Sequence, residues 1–370
     1  MEIFTLMLPL SVTFISCGIL IIVSRFFGFG IDESLGVQKF HISITSRLGG
    51  IALFIGFVSS LLLIPSSTNS TTLFIKFLIS SIPIFVAGTL EDITHKISPS
   101  IRMILALFSS TLAYLFLEVK VIRTDVWVVD LLLQWGIFVY FITVIVIAGF
   151  THAINIIDGF NGLASGQSIL ILGFLSILNY STHQFDLLII SITLMSACFG
   201  FFLWNWPYGK IFLGDGGAYF LGFCTVCLGV LLTSRCSEVS PFAPILLGLY
   251  PLIEAVFSMY RRFLLKGHSI ARPDAIHLHS LIFRRVLKKQ LISGDNTYFL
   301  NSKVAYFFWI TSVITGSLTC FFYTNTTVLL VLFFIYTFIY IKVFKSLVRF
   351  QTPIWLSFFY SVFSVKNRHD

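Results

Sequence analysis

The sequence carries little charge. Only 11% of its 370 residues are Asp, Glu, Lys or Arg, whereas soluble globular domains contain about 25%. Hydrophobic residues make up 57% of the chain, and phenylalanine alone supplies 42 residues. A soluble core cannot bury that much apolar surface. The composition therefore excludes an ordinary soluble protein and predicts an all-α polytopic membrane protein.

Cysteine is also scarce. Six cysteines occur, mostly in apolar segments, and only Cys224 and Cys227 are spaced to share one helix face. No second pair or histidine cluster accompanies them, so small packing residues are favoured over a zinc or redox centre. The net charge of +8 gathers in loops between apolar segments. The positive-inside rule explains that distribution, and we expect no nucleic-acid partner.

Long apolar runs set the organisation of the chain. A bilayer core requires about 20 apolar residues for one helix. Eleven spans are predicted, near residues 3–23, 48–65, 73–90, 101–117, 134–154, 163–180, 186–204, 217–234, 243–261, 303–323 and 327–345. The first lacks a basic start and is interpreted as a retained helix rather than a signal peptide. Residues 118–133 alternate in part and suggest a surface hairpin; residues 350–365 suggest a tail lying on the membrane.

The basic residues predict the orientation. With the N-terminus outside, only four of the 24 Lys and Arg fall on the outer side: Lys76, Lys120, Arg123 and Arg235. This bias predicts an N-out, C-in topology. Residues 1–345 then form one integral-membrane domain with inner loops at 24–47, 91–102, 155–162, 205–216 and 262–303. Residues 346–370 form an inner tail.

Acidic residues lie at helix ends rather than at mid-membrane; Glu254 is the deepest. A secondary transporter places its ionisable groups near the midplane on broken helices, so a transporter is disfavoured. A non-catalytic scaffold would not need Asp92, Asp158 and Asp215 at one face. The pattern suits an enzyme that meets one water-soluble and one lipid partner at the membrane surface.

Two inner loops carry charge beside helix ends. Lys39 and His41 precede Gly49-Gly50, which favours a phosphate-seeking loop packed against a helix start; an ordinary basic loop is the alternative. Glu91 and Asp92 end the third span. Two carboxylates near hydrocarbon are unfavourable unless they are paired or bound to a cation. A general base, an indirect metal role and a plain helix-end pair all fit.

The stretch AINIIDGFNGLASG, residues 153–166, places Asn155, Asp158 and Asn161 at intervals of three, on one face if helical. Its glycines would let the backbone approach a ligand closely. Calcium is disfavoured because the closing Glu of a calcium loop is missing, and a polar turn is the alternative. Asp215, flanked by glycines before the eighth span, could hold a cation with its phosphates or cap the helix.

The long basic loop contains His277 and His279 among Arg272, Arg284 and Arg285. No third soft ligand accompanies the histidines, so phosphate recognition is favoured over metal binding. Binding of lipid headgroups is the alternative. Together the loops supply oxygen ligands for a hard cation and cationic groups for phosphates. That combination suits transfer of a phosphoryl-linked group at the membrane surface.

These motifs resemble the polyprenyl-phosphate N-acetylhexosamine-1-phosphate transferases of glycosyltransferase family 4. The resemblance runs from about Asp32 to Arg285 through KFH…SRLGG, GTLEDITHKISP, NIIDGFNGLASG, FLGDGGAYFLG and PDAIHLHS. It implies transfer of an N-acetylhexosamine 1-phosphate, by default GlcNAc 1-phosphate, from a UDP-sugar to undecaprenyl phosphate by direct attack. UMP would leave, starting O-antigen or other cell-envelope polysaccharide synthesis. The resemblance also implies Mg²⁺ or Mn²⁺, a cytoplasmic-face site in the bacterial inner membrane, and a homodimer.

The resemblance also implies roles for single residues. Asp215 and Asn155 would hold the metal, Asp92 would deprotonate or orient the lipid phosphate, and Asn161 would contact uracil. Glu91 and Asp158 are further catalytic candidates because of their own positions in the polar loops. His277 and His279 would grip the diphosphate, with Arg272, Lys39 and His41 as further substrate-binding residues.

The chain departs from the family pattern at several positions. Glu91 and Glu254 replace the usual Asp, and the last loop motif lacks an Arg at 275 and a His at 280. Arg272 would supply the missing charge. The absence of a run of three histidines weighs against the peptidoglycan substrate.

Overall fold

A computed structural model of the protein describes residues 4–32, 45–63, 69–265, 276–288 and 297–362. Helices dominate this part of the chain. The first eight are α1 (Phe4–Phe27), α2 (Gly49–Ser59), α3 (Asn69–Thr94), α4 (Pro99–Leu112), α5 (Trp127–Leu132), α6 (Gly136–Ile157), α7 (Leu163–Ser181) and α8 (Phe185–Asn205). The others are α9 (Gly214–Arg235), α10 (Phe242–Leu247), α11 (Leu249–Tyr260), α12 (Leu278–Arg285), α13 (Thr297–Phe322), α14 (Thr326–Val348) and α15 (Ile354–Val362).

Nine helices of the described residues are long and apolar enough to cross a bilayer: α1, α3, α4 with its π-helical extension, α6, α7, α8, α9, α13 and α14. The prediction of a polytopic helical membrane protein is therefore confirmed, although two of the eleven predicted spans are shorter than expected. The second apolar run forms only α2 and a 3₁₀ turn, Ser60–Leu62.

The predicted ninth span, residues 243–261, is broken at Gly248 into α10 and α11. Pro251 lies in the first turn of α11, where a missing backbone N–H is tolerated, but it could not continue a helix arriving from Leu247. Gly248 also has no room for a side chain, because an added Cβ would lie 2.4 Å from the Phe150 ring. Local chemistry thus interrupts a run that composition alone predicts to be continuous.

One smaller prediction was wrong, and the structure adds detail to two others. Residues 118–133 form no hairpin in the structure; a loop leads into the short helix α5. The tail helix α15 packs partly against the protein, since Tyr360 is fully buried and its hydroxyl donates to the Val304 carbonyl at 3.2 Å. The predicted all-α class agrees with the structure, which adds one small strand pair. Two short strands, β1 (Ile31–Asp32) and β2 (Thr45–Ser46), pair antiparallel, and Ser46 bridges to Ile211.

Helix α9 lies at the centre of the bundle. It packs against α2, α3, α6 and α7, and nearly all of its side chains are buried. Large apolar side chains on the outer helices are exposed instead, for example Ile22, Phe108, Ile145 and Phe338. An apolar exterior around a buried central helix is the arrangement expected for a protein surrounded by lipid.

Glycines allow α9 to begin very close to its neighbours. A Cβ on Gly50 of α2 would lie 2.2 Å from the Gly217 nitrogen, and a Cβ on Gly88 of α3 would lie 2.5 Å from the Gly216 nitrogen. No side chain fits in either contact. The glycines around Asp215 therefore serve helix packing, which neither sequence-based alternative, capping or phosphate binding, had explained.

Candidate active site

The candidate site lies where several helix ends meet. The end of α3, the start of α4, the end of α6 and the start of α9 converge there, together with the segment that precedes α2. Backbone hydrogen bonds join that segment to the connection before α9: Phe212 N–H donates to Ser46 at 2.8 Å and Gly50 N–H donates to Leu213 at 2.8 Å. This pairing brings Arg47 beside the first turn of α9.

Asp92 holds the first turn of α9. One carboxylate oxygen accepts from the Asp215 N–H and the other from the Gly216 N–H, each at 2.9 Å. The side chain is buried, and Arg47 Nε lies 3.4 Å from one of the same oxygens. Gly214 precedes the turn with φ +73°, and a Cβ there would lie 2.5 Å from Asp92. Asp92 thus caps a neighbouring helix, and the first N–H groups of α9 are not open to a ligand.

Asp215 is surrounded by donors from three other segments. Its carboxylate accepts from Asn155 Nδ2 at 2.9 Å and lies 3.5 Å from Arg47 Nη2. Arg102 Nη1 forms an ion pair with its second oxygen and lies 3.5 Å from the Tyr219 hydroxyl. The prediction placed Asp215 and Asn155 together, and the structure brings them into contact.

Arg47 and Arg102 were not predicted as site residues. Arg102 lies in the first turn of α4, four residues after the N-cap Ser98. A cation at a helix N-terminus opposes the helix dipole, so it needs a nearby anion. That unfavourable position is visible in the sequence as a sign that an anion lies nearby. In the structure the anion is Asp215.

Asp158 follows the last residue of α6. Its side chain makes no hydrogen bond to any residue in the described part of the chain. Burial raises the pKa of the Asp158 carboxyl to about 7, with Arg47 lowering it and Asp215 raising it by smaller amounts. Within the described residues, Asp158 is therefore a carboxylate without a hydrogen-bond partner, and Arg47 and Asp215 lie close enough to affect its pKa.

Glu91 has a local structural contact. Its carboxylate accepts from the Ile97 N–H at 2.7 Å and so closes the turn between α3 and α4. His95 in this turn adopts φ 54°, which a non-glycine residue rarely does. The extra methylene of Glu over Asp gives the side chain reach across the turn, and its catalytic role stays a prediction.

Asn161 is buried in a turn rather than on a helix face. Its backbone N–H donates to Asn301 at 2.8 Å and its side chain donates to the Pro207 carbonyl at 3.1 Å. Nearby, Asn205 accepts from the Gly162 N–H at 2.7 Å and donates to the Ile211 carbonyl at 2.9 Å. These contacts join the 158–162 turn to the connection before α9. A contact between Asn161 and uracil stays a prediction.

Two glycines of the 153–166 stretch are explained by tryptophans. A Cβ on Gly162, which has φ +75°, would lie 2.7 Å from Trp206, and a Cβ on Gly166 would lie 2.3 Å from Trp309. The expectation that ligand approach explains these glycines is replaced by close aromatic packing. Gly159 differs, because its added Cβ would meet His279 Nε2 at an ordinary 3.6 Å.

The two histidines lie beside that turn and share a buried support. His277 Nδ1 lies 2.9 Å from Glu254, and His279 Nδ1 lies 2.9 Å from the Tyr250 hydroxyl. The imidazole rings are stacked, with centroids 5.1 Å apart. The His279 ring also packs edge-on against Phe160. Lys39, His41 and Arg272, the other predicted substrate-binding residues, lie outside the described residues.

The donor set fits a hard divalent cation. Asp215, Asn155 and Asp158 offer carboxylate and amide oxygens, and no side chain in the described ranges donates a hydrogen bond to Asp158. No three His, Cys, Asp or Glu side chains form a metal-binding group within the described ranges. Mg²⁺ does not need such a cage, because it is usually held by one or two carboxylates together with water and substrate phosphates.

Comparison with known proteins adds an independent observation. The family model described as glycosyl transferase family 4 matches residues 74–233, a range that contains Asp92, Asn155, Asp158 and Asp215. A probable undecaprenyl-phosphate N-acetylglucosaminyl 1-phosphate transferase of Bacillus subtilis (strain 168) is 31% identical over 246 residues, covering 65% of this chain and 66% of that protein. The chain belongs to glycosyl transferase family 4.

Two further relatives of the family 4 chain differ in the substrates that their names state. An undecaprenyl-phosphate alpha-N-acetylglucosaminyl 1-phosphate transferase of Yersinia pestis is 26% identical, covering 69% of this chain and 70% of the relative. A phospho-N-acetylmuramoyl-pentapeptide-transferase of Streptococcus agalactiae serotype Ia is 25% identical, covering 81% and 94%. The predicted family and the prediction of a transferase are confirmed, while the choice of sugar is not made by similarity alone.

Proposed function

We propose that the protein transfers an N-acetylhexosamine 1-phosphate from a UDP-sugar to undecaprenyl phosphate and releases UMP. The observation that carries the proposal is the convergence of Asp92, Asp158 and Asp215 with Arg47 and Arg102 at one end of a lipid-exposed helical bundle. A phosphate on a lipid and a phosphate on a soluble nucleotide can both reach such a place.

The reaction joins a phosphate oxygen of the lipid to the β-phosphorus of the UDP-sugar. The bond between the β-phosphorus and the bridging oxygen breaks, and UMP carries that oxygen away. Anions meet anions in this step, so charge neutralisation and positioning supply most of the rate enhancement. Arg47 and Arg102 hold fixed positive charge beside the carboxylates, and guanidinium groups match phosphate oxygens well.

Asp215, Asn155 and Asp158 are the residues proposed to hold Mg²⁺ or Mn²⁺. When bound, the cation supplies positive charge to the diphosphate and to the leaving UMP. Asp92 accepts one hydrogen bond from the Asp215 N–H and one from the Gly216 N–H, so we assign it the positioning of Asp215. In the part of the chain that the structure describes, no hydrogen bond holds Asp158 away from substrate, and the His279 ring lies beside the same turn.

The default sugar is GlcNAc, and the product would begin O-antigen or another cell-envelope polysaccharide in the bacterial inner membrane. The motif HLHS, residues 277–280, ends in Ser280 and contains no run of three histidines. This difference supports GlcNAc over phospho-N-acetylmuramoyl pentapeptide as the transferred group. The N-out, C-in topology of the basic loops would place the site on the cytoplasmic face, where UDP-sugars are made.

The test is a substrate panel with purified protein. Undecaprenyl phosphate is incubated with UDP-GlcNAc, UDP-GalNAc or UDP-MurNAc-pentapeptide, with and without Mg²⁺, and lipid-linked products are separated. We expect product with a UDP-HexNAc and Mg²⁺ only. Product from the pentapeptide substrate alone would replace the sugar assignment, and full activity after metal removal would overturn the metal assignment.

A further inference from the structure

A buried polar network supports the two histidines from behind. Glu254, 1% exposed, accepts three hydrogen bonds. The donors are His277 Nδ1 at 2.9 Å, the Leu278 N–H at 3.2 Å and the Tyr340 hydroxyl at 2.9 Å. The proposed transfer reaction gives Glu254 no direct part. Its contacts with His277 and the start of α12 nevertheless determine how the histidine segment is held.

The contact with Glu254 determines which nitrogen of His277 carries a proton. Three donors converge on the carboxylate, and an ionised carboxylate can only accept. Nδ1 of His277 must therefore be the protonated nitrogen in this contact. Nε2 is then the nitrogen left for substrate, and in a neutral ring it is an acceptor.

Tyr250 gives His279 the opposite arrangement. The Tyr250 hydroxyl is buried, and within the described chain its hydrogen-bond partner is His279 Nδ1. A buried hydroxyl hydrogen without an acceptor costs about 1–3 kcal/mol, so the hydroxyl donates and Nδ1 accepts. Burial lowers the pKa of His279 to about 3, which keeps the ring neutral. The single proton of His279 is therefore on Nε2, the nitrogen that faces Gly159.

We propose that Glu254 and Tyr250 are positioning residues that hold His277 and His279 in opposite tautomers. His279 then offers a permanent Nε2–H donor to a phosphoryl oxygen of the nucleotide sugar, without needing a positive charge. His277 offers an Nε2 whose proton is not fixed by the protein. The two rings are stacked with centroids 5.1 Å apart, so the position of one ring limits the position of the other. The inference rests on the proposed function for the identity of the ligand, but not for the tautomers.

The direct test is ¹⁵N NMR of the full-length protein in detergent with ¹⁵N-labelled histidine. Signals are assigned with His277→Gln and His279→Gln variants. We expect His277 protonated at Nδ1 and His279 neutral and protonated at Nε2 at pH 7. Equal tautomers in the two rings, or a positively charged His279, would overturn the proposal. Absence of transfer activity with opposite tautomers would instead count against the proposed function alone.

Kinetic variants test whether the tautomers matter for turnover. Tyr250→Phe removes the donor to Nδ1, so we expect mixed His279 tautomers and a rise in KM for the UDP-sugar of about 2- to 10-fold, the equivalent of one hydrogen bond. Tyr140→Phe is the matched control, since it removes another tyrosine hydroxyl bond, to Thr111 at 3.1 Å, near the other end of α6. It should leave both KM and the tautomers unchanged.

Glu254→Gln and Glu254→Asp separate the charge of the carboxylate from its shape. The NH₂ group of Gln is a donor and would face His277, the Leu278 N–H or the Tyr340 hydroxyl, which donate to the carboxylate in the wild type. We therefore expect His277 to lose its fixed tautomer and kcat to fall about 10- to 100-fold. Asp keeps an acceptor-only group and should retain the tautomer with partial activity. Unchanged NMR signals and kinetics in Glu254→Gln would refute the assignment. If that variant does not fold, Tyr250→Phe and the wild-type spectrum still decide.

Discussion

Replacing Asp92 by Asn tests how the centre of the site is built. In the wild type both carboxylate oxygens accept backbone N–H groups of α9, each at 2.9 Å. The Asn amide keeps one acceptor and turns a donor toward the other N–H. Asp215 begins the same turn, so its position depends on these two bonds.

The magnitude follows from the two lost contributions. One buried N–H without an acceptor costs about 1–3 kcal/mol. Loss of a negative charge at a partly buried helix N-terminus costs up to about 2 kcal/mol. We therefore expect Asp92→Asn to destabilise the protein by roughly 3 kcal/mol. It should also weaken Mg²⁺ binding because Asp215 is displaced, so that half-maximal transfer needs a higher Mg²⁺ concentration. Stabilities of proteins are only about 5–15 kcal/mol, so this loss is measurable.

The assay combines thermal unfolding in detergent with transfer rates measured over a range of Mg²⁺ concentrations. Asp186→Asn is the matched control. Asp186 lies in the first turn of α8 and pairs at 2.6 Å with Arg235, the last residue of α9, at the opposite end of that helix from Asp215. It should change neither quantity strongly. If Asp92→Asn loses turnover while its stability and Mg²⁺ dependence stay those of the wild type, Asp92 acts on the substrate directly, and the positioning role is refuted.

Two further predictions concern packing and charge. Gly50→Ala should strongly reduce the yield of folded protein, because its Cβ would lie 2.2 Å from the Gly217 nitrogen. Gly149→Ala is the control and should be tolerated, since nothing lies within 4 Å of its Cβ. Size-exclusion chromatography measures both yields, and equal yields would contradict the packing argument. Arg47→Gln should raise the pKa of Asp158 above about 7, since Arg47 now lowers it. Carboxyl ¹³C NMR of the metal-free protein measures this pKa, and an unchanged or lower value would contradict the assignment.

Much of the fold could be predicted from the sequence because its cause is compositional. The nine long apolar helices of the described residues follow directly from runs of about 20 apolar residues. The break at Gly248 and the short α2 could not be predicted in the same way. The break depends on the close approach of Phe150, a residue far away in sequence, to Gly248.

The candidate site shows the same division. Asn155, Asp158 and Asp215 could be predicted because polar residues stand out at the ends of apolar helices. The support of the histidines by Tyr250 could not, because a tyrosine in an apolar run looks like packing. Arg47 looks like one more charge of a basic loop. Arg102 carries the signal of a cation at a helix start, but the sequence does not identify its partner. The glycines beside Asp215 looked like ligand contacts, but only the three-dimensional approach of α2 and α3 shows that they serve helix packing.

The central claim is transfer of a sugar together with its phosphate, and isotope position tests it most directly. Purified protein is given undecaprenyl phosphate, Mg²⁺ and UDP-GlcNAc labelled with ³²P at either the α- or the β-phosphate. The account predicts that the β-label enters the lipid fraction and the α-label leaves as UMP. Label absent from the lipid with both substrates, while the sugar itself is transferred, would contradict it.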